Sequence, residues 1–99
     1  LGVDVENLVL TGTSATIANG NACANQLYGN AANNLIDAGA GNDSVEAGDG
    51  NDQVFGGTGD DKLYGDNKNG STVFGTSHDD KIEGGEGYNE IWGGAGDDQ

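Results

Sequence analysis

The sequence predicts an all-β parallel β-roll, a solenoid in which two short strands and two turns make one coil of about 18 residues. Three observations support this prediction. The chain repeats with a period of nine from residue 20 onward, and each repeat begins with small residues. Each complete nine-residue repeat also carries an aliphatic residue at its eighth position. No segment has the apolar spacing of an amphipathic helix.

The first half of each repeat predicts a tight turn. The repeats AGAGNDSVE, AGDGNDQVF and GGTGDDKLY occupy residues 38–64 without a break. Their glycines permit the positive φ angles that tight turns require. Position six, at the end of the turn, is Asp in the strong repeats and Asn in the weaker ones. Each turn is therefore expected to end in a carboxylate or an amide.

The second half of each repeat predicts a three-residue strand. Position eight of the nine-residue repeats is always aliphatic, and Val73 is the equivalent residue of the ten-residue block, whereas the residues on either side are mostly polar or aromatic. This alternation points one side chain inward and two outward. The predicted core is therefore one column of aliphatic side chains in each sheet, formed by Leu27, Ile36, Val45, Val54, Leu63, Val73, Ile82 and Ile91.

The repeats divide the chain into three parts. Residues 1–19 are only loosely periodic and are interpreted as an amino-terminal cap, residues 20–37 as degenerate Asn-type repeats, and residues 38–99 as the strong repeats. The block Gly65–Phe74 has ten residues instead of nine. The last repeat stops at Gln99, before its aliphatic position. We therefore expect a piece of a longer polypeptide, whose open carboxy end is covered by flanking repeats or domains or self-associates.

The composition requires something to neutralise acidic groups. The formal net charge is −14, from 17 acidic and three basic residues, and only 33% of residues are hydrophobic. Such chains are disordered unless another component replaces the missing core. Divalent cations could neutralise the acids and hold the turns together. With three basic residues, nucleic acid is not an expected partner, and no apolar run is long enough for membrane insertion.

Calcium is the cation that these turns predict. Ca²⁺ takes about six to eight oxygen ligands from carboxylates and backbone carbonyls. One glycine turn with its Asp supplies about half of such a shell, so a site needs two turns that are one coil apart. Mg²⁺ prefers rigid octahedra that retain water. Zn²⁺ prefers clusters of Cys and His, and the chain has one of each.

Sorting position six by edge of the roll predicts unequal sites. The first edge should carry four successive carboxylates: Asp43, Asp61, Asp80 and Asp98. Consecutive members would share three strong sites, and three Ca²⁺ ions would change the formal charge from −14 to −8. The second edge has Asp52 between Asn34 and Ser71, which predicts one or two weaker sites.

These blocks resemble the RTX (hemolysin-type) repeat G-G-x-G-x-D-x-U-x, a calcium-binding β-helix repeat. The resemblance covers residues 20–99, is strongest from residue 38 onward, and is closest at GGTGDDKLY. It implies a right-handed roll with Ca²⁺ as cofactor, in a bacterial protein exported by type I secretion. Such a chain would stay unfolded where calcium is scarce and fold outside the cell, so folding and metal binding should be one event.

The resemblance also implies which backbone carbonyls complete the calcium shells. In the family, alternating turn positions supply them. Carried onto this sequence, the implied ligands are Gly39, Gly41, Gly57, Gly59, Thr76 and His78, with Gly56, Thr58, Gly75, Ser77, Gly93 and Ala95 from the opposing turns.

No catalytic residue is predicted, and we do not expect this chain to be an enzyme by itself. Its paired acids, such as Asp60–Asp61, are sequence neighbours repeated with the period, whereas glycosidase carboxylates face each other across a cleft. No nucleophile elbow, zinc-protease helix motif or phosphate loop is present.

Two classes of parent protein remain open. One is a structural surface protein such as an adhesin, an S-layer subunit or a filament. The leader VENLVLTGT favours it, because similar segments precede such arrays in large secreted bacterial proteins. The other is a secreted enzyme or toxin, for instance a protease, lipase or epimerase, with the repeats as its folding and secretion appendage.

Position nine predicts an aromatic ladder. Phe55, Phe74 and Trp92 would follow one another in successive coils on one face of the roll. Outward aromatic side chains at this spacing either stiffen the roll by cross-strand packing or form an association face.

Overall fold

The computed structural model describes residues 6–65, 81–94 and 98–99. Among these residues the secondary structure is strand and turn, with no helix, and hence none that could span a membrane. The strands in chain order are β1 (Asn7–Val9), β2 (Ile17–Asn21), β3 (Gln26–Tyr28), β4 (Leu35–Gly39), β5 (Ser44–Glu46), β6 (Gln53–Thr58), β7 (Lys62–Tyr64), β8 (Lys81–Glu86) and β9 (Glu90–Trp92).

The strands alternate between two parallel sheets. The odd-numbered strands form one sheet in the order β1-β3-β5-β7-β9, and the even-numbered strands form the other in the order β2-β4-β6-β8. Every strand pair is parallel. Each coil therefore gives one strand to each sheet, and the predicted parallel β-roll is confirmed.

Two nine-residue repeats make one coil in the centre of the roll. Leu27 pairs with Val45, and Val45 pairs with Leu63, each time 18 residues further along the chain. The first described strand continues the same column, because Leu8 pairs with Leu27. Part of the predicted cap thus forms the first coil, with Leu8 and Leu10 packed against the core.

The core is the predicted aliphatic column together with a second set of small residues. The position-eight side chains are fully buried from the third to the seventh strand: Leu27, Ile36, Val45, Val54 and Leu63. Ala38 and Ala47, at position one of their repeats, are equally buried. The small residues at position one are therefore core residues as well as turn formers.

The register of the roll changes between β7 and β8. Val54 pairs with Ile82 and Leu63 with Ile91, which is a step of 28 residues instead of 18. The prediction that the block Gly65–Phe74 adds its own strand after β6 is wrong, because β6 is hydrogen-bonded directly to β8. The tenth residue of this block breaks the period, and a shift of one residue in a strand exchanges its inward and outward side chains. Val73 itself lies outside the described residues.

The last described strand of the odd-numbered sheet has an open side. Ile91 is 47% exposed, although its counterparts Leu27, Val45 and Leu63 are fully buried. Ile82, in the other sheet, is only 9% exposed. Its N–H donates to the Gln99 carbonyl at 2.7 Å, so a further segment covers it. The core prediction for Ile91 is therefore wrong in this structure, because no described residue covers it.

The aromatic prediction is also wrong. Trp92 stacks on Tyr64, with ring centroids 4.6 Å apart and an interplanar angle of 5°. Phe55 lies in the other sheet, where it pairs with Glu83. The 28-residue register places Trp92 one strand after Tyr64 instead of in the column of Phe55. Phe74 lies outside the described residues.

Truncation at two equivalent repeat positions should have unequal effects. Leu63→Ala is expected to lower the free energy of unfolding in saturating calcium by about 2–5 kcal/mol, because it leaves a cavity in a closed core. Ile91→Ala should cost less than about 1 kcal/mol, because much of that side chain already contacts water. Urea unfolding followed by circular dichroism measures both. Equal losses in a monomeric sample would contradict the open edge.

Candidate calcium-binding turns

The turns of the roll lie along two edges. The first edge holds the turns that lead into odd-numbered strands, at residues 20–25, 38–43, 56–61 and 84–89. The second edge holds those that lead into even-numbered strands, including residues 29–34 and 47–52. Each of these turns ends at position six of a repeat, so one edge stacks successive position-six side chains.

Position six links each turn to the preceding coil on the first edge. The Asn25 N–H donates to Asp43 Oδ1 at 2.7 Å, and the Asp43 N–H donates to Asp61 Oδ1 at 2.9 Å. The Asp61 N–H in turn donates to Asn89 Oδ1 at 2.9 Å. On the second edge the Asn34 N–H donates to Asp52 Oδ1 at 2.7 Å. These side chains therefore join neighbouring coils and do more than close a local turn.

The predicted order of carboxylates on the first edge needs a correction. The residue that follows Asp61 is Asn89, not Asp80, because of the 28-residue register. Asp80 lies outside the described residues. Asp98 directly precedes Gln99, whose carbonyl pairs with Ile82 of the even-numbered sheet. Asp98 therefore belongs to the second edge, and the prediction that it lies on the first is wrong for the same reason.

Asp43 and Asp61 form a consecutive pair of buried carboxylates. They are 2% and 1% exposed. Each uses Oδ1 in the ladder, whereas Oδ2 of each is buried and accepts no hydrogen bond. A buried charge without a partner is costly. The two residues therefore have the arrangement expected of groups that share a cation.

The electrostatics of this pair agree with that interpretation. Burial raises the pKa of Asp43 to about 6; the Asn25 N–H opposes the rise, and the neighbouring Asp61 carboxylate adds to it. Burial also raises the pKa of Asp61, with the Asp43 N–H opposing and Asp60 adding. In the absence of a cation, folding thus shifts both carboxyl groups toward their protonated form.

The glycine turns bring backbone oxygens to the carboxylates. Gly57 and Gly59 have φ angles of 101° and 123°, a left-handed backbone that few other residues adopt. A Cβ on Gly56 would lie 2.6 Å from both Asp61 Oδ2 and the Gly84 carbonyl oxygen. Asp61 Oδ2, from the same turn, and the Gly84 carbonyl oxygen, from the next coil, therefore border the same small space. Such a space suits a cation with oxygen ligands.

Several of the implied carbonyl ligands are brought together on the first edge. They lie in the adjacent turns that end at Asp43 and Asp61: Gly39, Gly41, Gly56, Gly57, Thr58 and Gly59. Thr76, His78, Gly75, Ser77 and Ala95 lie outside the described residues. Gly93 lies beside Asp98, because a Cβ on Gly93 would contact that carboxylate. No group of three or more His, Cys, Asp and Glu side chains occurs in the described part of the chain. A cation would therefore take further oxygens from the backbone.

The sequence did not identify residues 84–89 as the turn that follows the Asp61 turn on the first edge. Its glycines Gly85 and Gly87 have positive φ angles of 83° and 107°, like those of the Asp turns. Its position six is Asn89, whose Nδ2 donates to the Gly85 carbonyl at 3.4 Å. The signal was available in the segment GGEGYN, but recognising its neighbour required the register.

A second ladder lies outside the carboxylate pair. The Asp60 N–H donates to Asn42 Oδ1 at 3.0 Å, and the Tyr88 N–H donates to Asp60 Oδ1 at 2.9 Å. These position-five side chains are exposed. Asp60 thus stabilises the stacking of turns from the solvent side, whereas Asp61 is buried beside it.

The fold and these turns define a cation-binding repeat protein, in which oxygen-lined turns stack along the edges of a parallel roll. The family model of the RTX calcium-binding nonapeptide repeat matches in four copies, over residues 11–45, 19–54, 46–69 and 74–99. The chain therefore belongs to the RTX calcium-binding nonapeptide repeat family, and calcium is its ligand. No curated protein and no solved structure matches it.

Mild acid is expected to restore β structure to the metal-free chain. A carboxyl pKa that folding raises from 3.8 to about 6 contributes stability that is complete below pH 3.8. That contribution is lost as the pH rises through about 6. Circular dichroism of a sample stripped of metal by resin, titrated from pH 7 to 4, should show the β signal returning. The double variant Asp43→Asn, Asp61→Asn should lack the part of this transition above pH 5; an unchanged transition would contradict the assignment.

Proposed function

We propose that this chain is a calcium-dependent folding module of an extracellular bacterial surface or structural protein, and that it is not itself catalytic. The observation that carries the proposal is the pair Asp43 and Asp61, buried one coil apart, each with an Oδ2 that accepts no hydrogen bond. Such a pair opposes folding until a cation neutralises it. Calcium therefore acts as a condition for forming the roll.

The best-supported site lies between the turns 38–43 and 56–61. Asp43 and Asp61 would supply carboxylate oxygens, and the carbonyls of Gly39, Gly41, Gly56 and Thr58 would supply the rest. Bound calcium contributes two positive charges where the metal-free fold has two buried acids. Asp61 also faces the turn 84–89, where Asn89 gives an amide instead of a second carboxylate. A site there would carry less negative charge and bind more weakly.

The family and the usual affinity of extracellular calcium modules support the proposed extracellular setting. RTX repeats occur in secreted bacterial proteins. Extracellular calcium modules typically bind with dissociation constants of about 0.1–1 mM. A module in that range would be unfolded in a calcium-poor cytoplasm and folded outside the cell.

A calcium titration of the 99-residue chain tests the proposal. We expect little β structure in excess chelator and a cooperative rise in β signal as free calcium reaches about 0.1–1 mM, because binding and folding are coupled. Magnesium at the same concentrations is the control and should have a much smaller effect. A β spectrum that is the same with chelator and with calcium would exclude calcium-coupled folding.

A further inference from the structure

Amides close the first turn that precedes the Asp repeats. In residues 20–25, the Asn21 N–H donates to Asn25 Oδ1 at 2.9 Å, and Asn25 Nδ2 donates to Asn21 Oδ1 at 3.0 Å. The Cys23 N–H also donates to Asn21 Oδ1, at 2.9 Å. Positions two, four and six of this turn are thus joined by three hydrogen bonds that involve no charged group.

The next turn repeats this arrangement on the second edge. The Asn30 N–H donates to Asn34 Oδ1, Asn34 Nδ2 donates to Asn30 Oδ1, and the Ala32 N–H donates to Asn30 Oδ1, each at 2.9 Å. The same three positions are used again. These residues, 20–25 and 29–34, are called the Asn turns below.

The Asn turns differ from the Asp turns in backbone and in charge. Gly39 and Gly41, at positions two and four of an Asp turn, have positive φ angles, whereas among the described residues none other than glycine does. Asn21 and Cys23 therefore hold the same positions with an ordinary backbone. Asn25 is 1% exposed, as buried as the Asp residues. Its Nδ2 is a donor, so the buried oxygens of the turn gain a partner without a cation.

The Asn turns also hold the first carboxylates in position. The Asn25 N–H donates to Asp43 Oδ1 and the Asn34 N–H donates to Asp52 Oδ1, both at 2.7 Å. The first Asp turn on each edge is therefore bound to an Asn turn of the coil before it. A preformed Asn turn would present its N–H to a carboxylate before any further coil is ordered.

We propose that the Asn turns bind no metal, stay ordered without calcium, and form the template on which the calcium-dependent coils stack. Asn21 and Asn30 are then positioning residues, and Asn34 is assigned to the template instead of to a calcium site. The template role rests on the calcium-coupled folding proposed above. The order of the Asn turns in metal-free solution does not depend on that proposal.

Hydrogen exchange of the wild-type chain separates the two proposals. In metal-free buffer at pH 7, the amide protons of Cys23, Asn30 and Ala32 should be protected, while those of Asp43 and Asp61 exchange freely. Calcium should then protect the latter pair. Equally fast exchange of both groups without metal would overturn the template. Failure of calcium to protect Asp43 and Asp61 would instead overturn calcium-coupled folding and leave the metal-free result to decide the template.

Exchanging the two kinds of turn provides the second test. The triple variant Asn21→Gly, Cys23→Gly, Asn25→Asp should bind one more calcium ion by calorimetry and lose metal-free protection in residues 20–25. Ala24→Asp, which adds a carboxylate at position five of the same turn, is the control and should gain no site. An unchanged stoichiometry in the folded triple variant would overturn the proposal.

The reverse exchange covers the case in which that variant does not fold. Gly48→Asn, Gly50→Ala, Asp52→Asn converts residues 47–52 to the Asn type. This turn should become protected in metal-free solution, because its amides replace the cation. Exchange as fast as in the wild type would overturn the proposal.

Discussion

Asp61→Ala is expected to weaken calcium binding by about 10–100-fold and to remove at least one bound ion, the scale seen when support of a metal site is lost. Asp61 is buried, its Oδ1 accepts from the Asp43 N–H, and its Oδ2 has no hydrogen bond. It lies between two coils, so its loss affects the turns on both sides. Isothermal calorimetry gives the affinity and the stoichiometry.

The matched control is the preceding acid. Asp60→Ala removes the same charge from the chain, but Asp60 is exposed and accepts a hydrogen bond from the Tyr88 N–H. Its effect on affinity should be much smaller than that of Asp61→Ala, because it removes only a surface charge and one exposed hydrogen bond. Asp61→Asn removes the charge but keeps the shape of the side chain, because the amide oxygen can still accept a hydrogen bond from the Asp43 N–H. If Asp60→Ala and Asp61→Ala weaken binding equally, net charge rather than a built site holds the ion.

Gly57→Ala is expected to abolish calcium-induced folding or to lower stability by more than about 3 kcal/mol, beyond the usual range of a point substitution. Gly57 has a φ of 101°, and a Cβ there would overlap the Gly39 carbonyl oxygen of the preceding coil. The methyl group would force apart the two turns that end at Asp43 and Asp61. Circular dichroism in saturating calcium, with urea unfolding of any folded fraction, measures the loss.

Gly12→Ala controls for the backbone conformation. Gly12 has a φ of 86°, but a Cβ there would meet nothing within 4 Å. Its cost should be limited to backbone strain of about 1–3 kcal/mol, and calcium-induced folding should persist. If the two variants are equally damaging, the cause is the left-handed backbone and not the close approach of the coils.

The repeat pattern was sufficient for the class of fold and the chemistry of the turns. A period of nine with one aliphatic position predicts Leu27, Val45 and Leu63 in a single column, and they pair in that order. These predictions succeed because they depend on local geometry, namely tight glycine turns and the alternation of a short strand. The same pattern predicted the small residues of the turn, although not that Ala38 and Ala47 are core residues.

The repeat pattern could not predict which residues of adjacent coils are neighbours. One irregular block, Gly65–Phe74, separates a step of 18 residues from a step of 28, so Asn89 and Asp98 were assigned to the wrong edge. Whether such a block adds a coil depends on how its strand would fit between two others, which is a property of packing. The pairing of Asp61 with Asn89 and of Tyr64 with Trp92 follows from that register alone.

The sequence by itself therefore determined that this chain is a parallel roll with calcium-binding turns, because composition and period act within one repeat. Only the tertiary structure decided which turns are neighbours along an edge and which turns close themselves with amides. Those properties depend on contacts between residues 18 or 28 positions apart. The nine-residue pattern specifies each turn, but the stacking of coils specifies its neighbour.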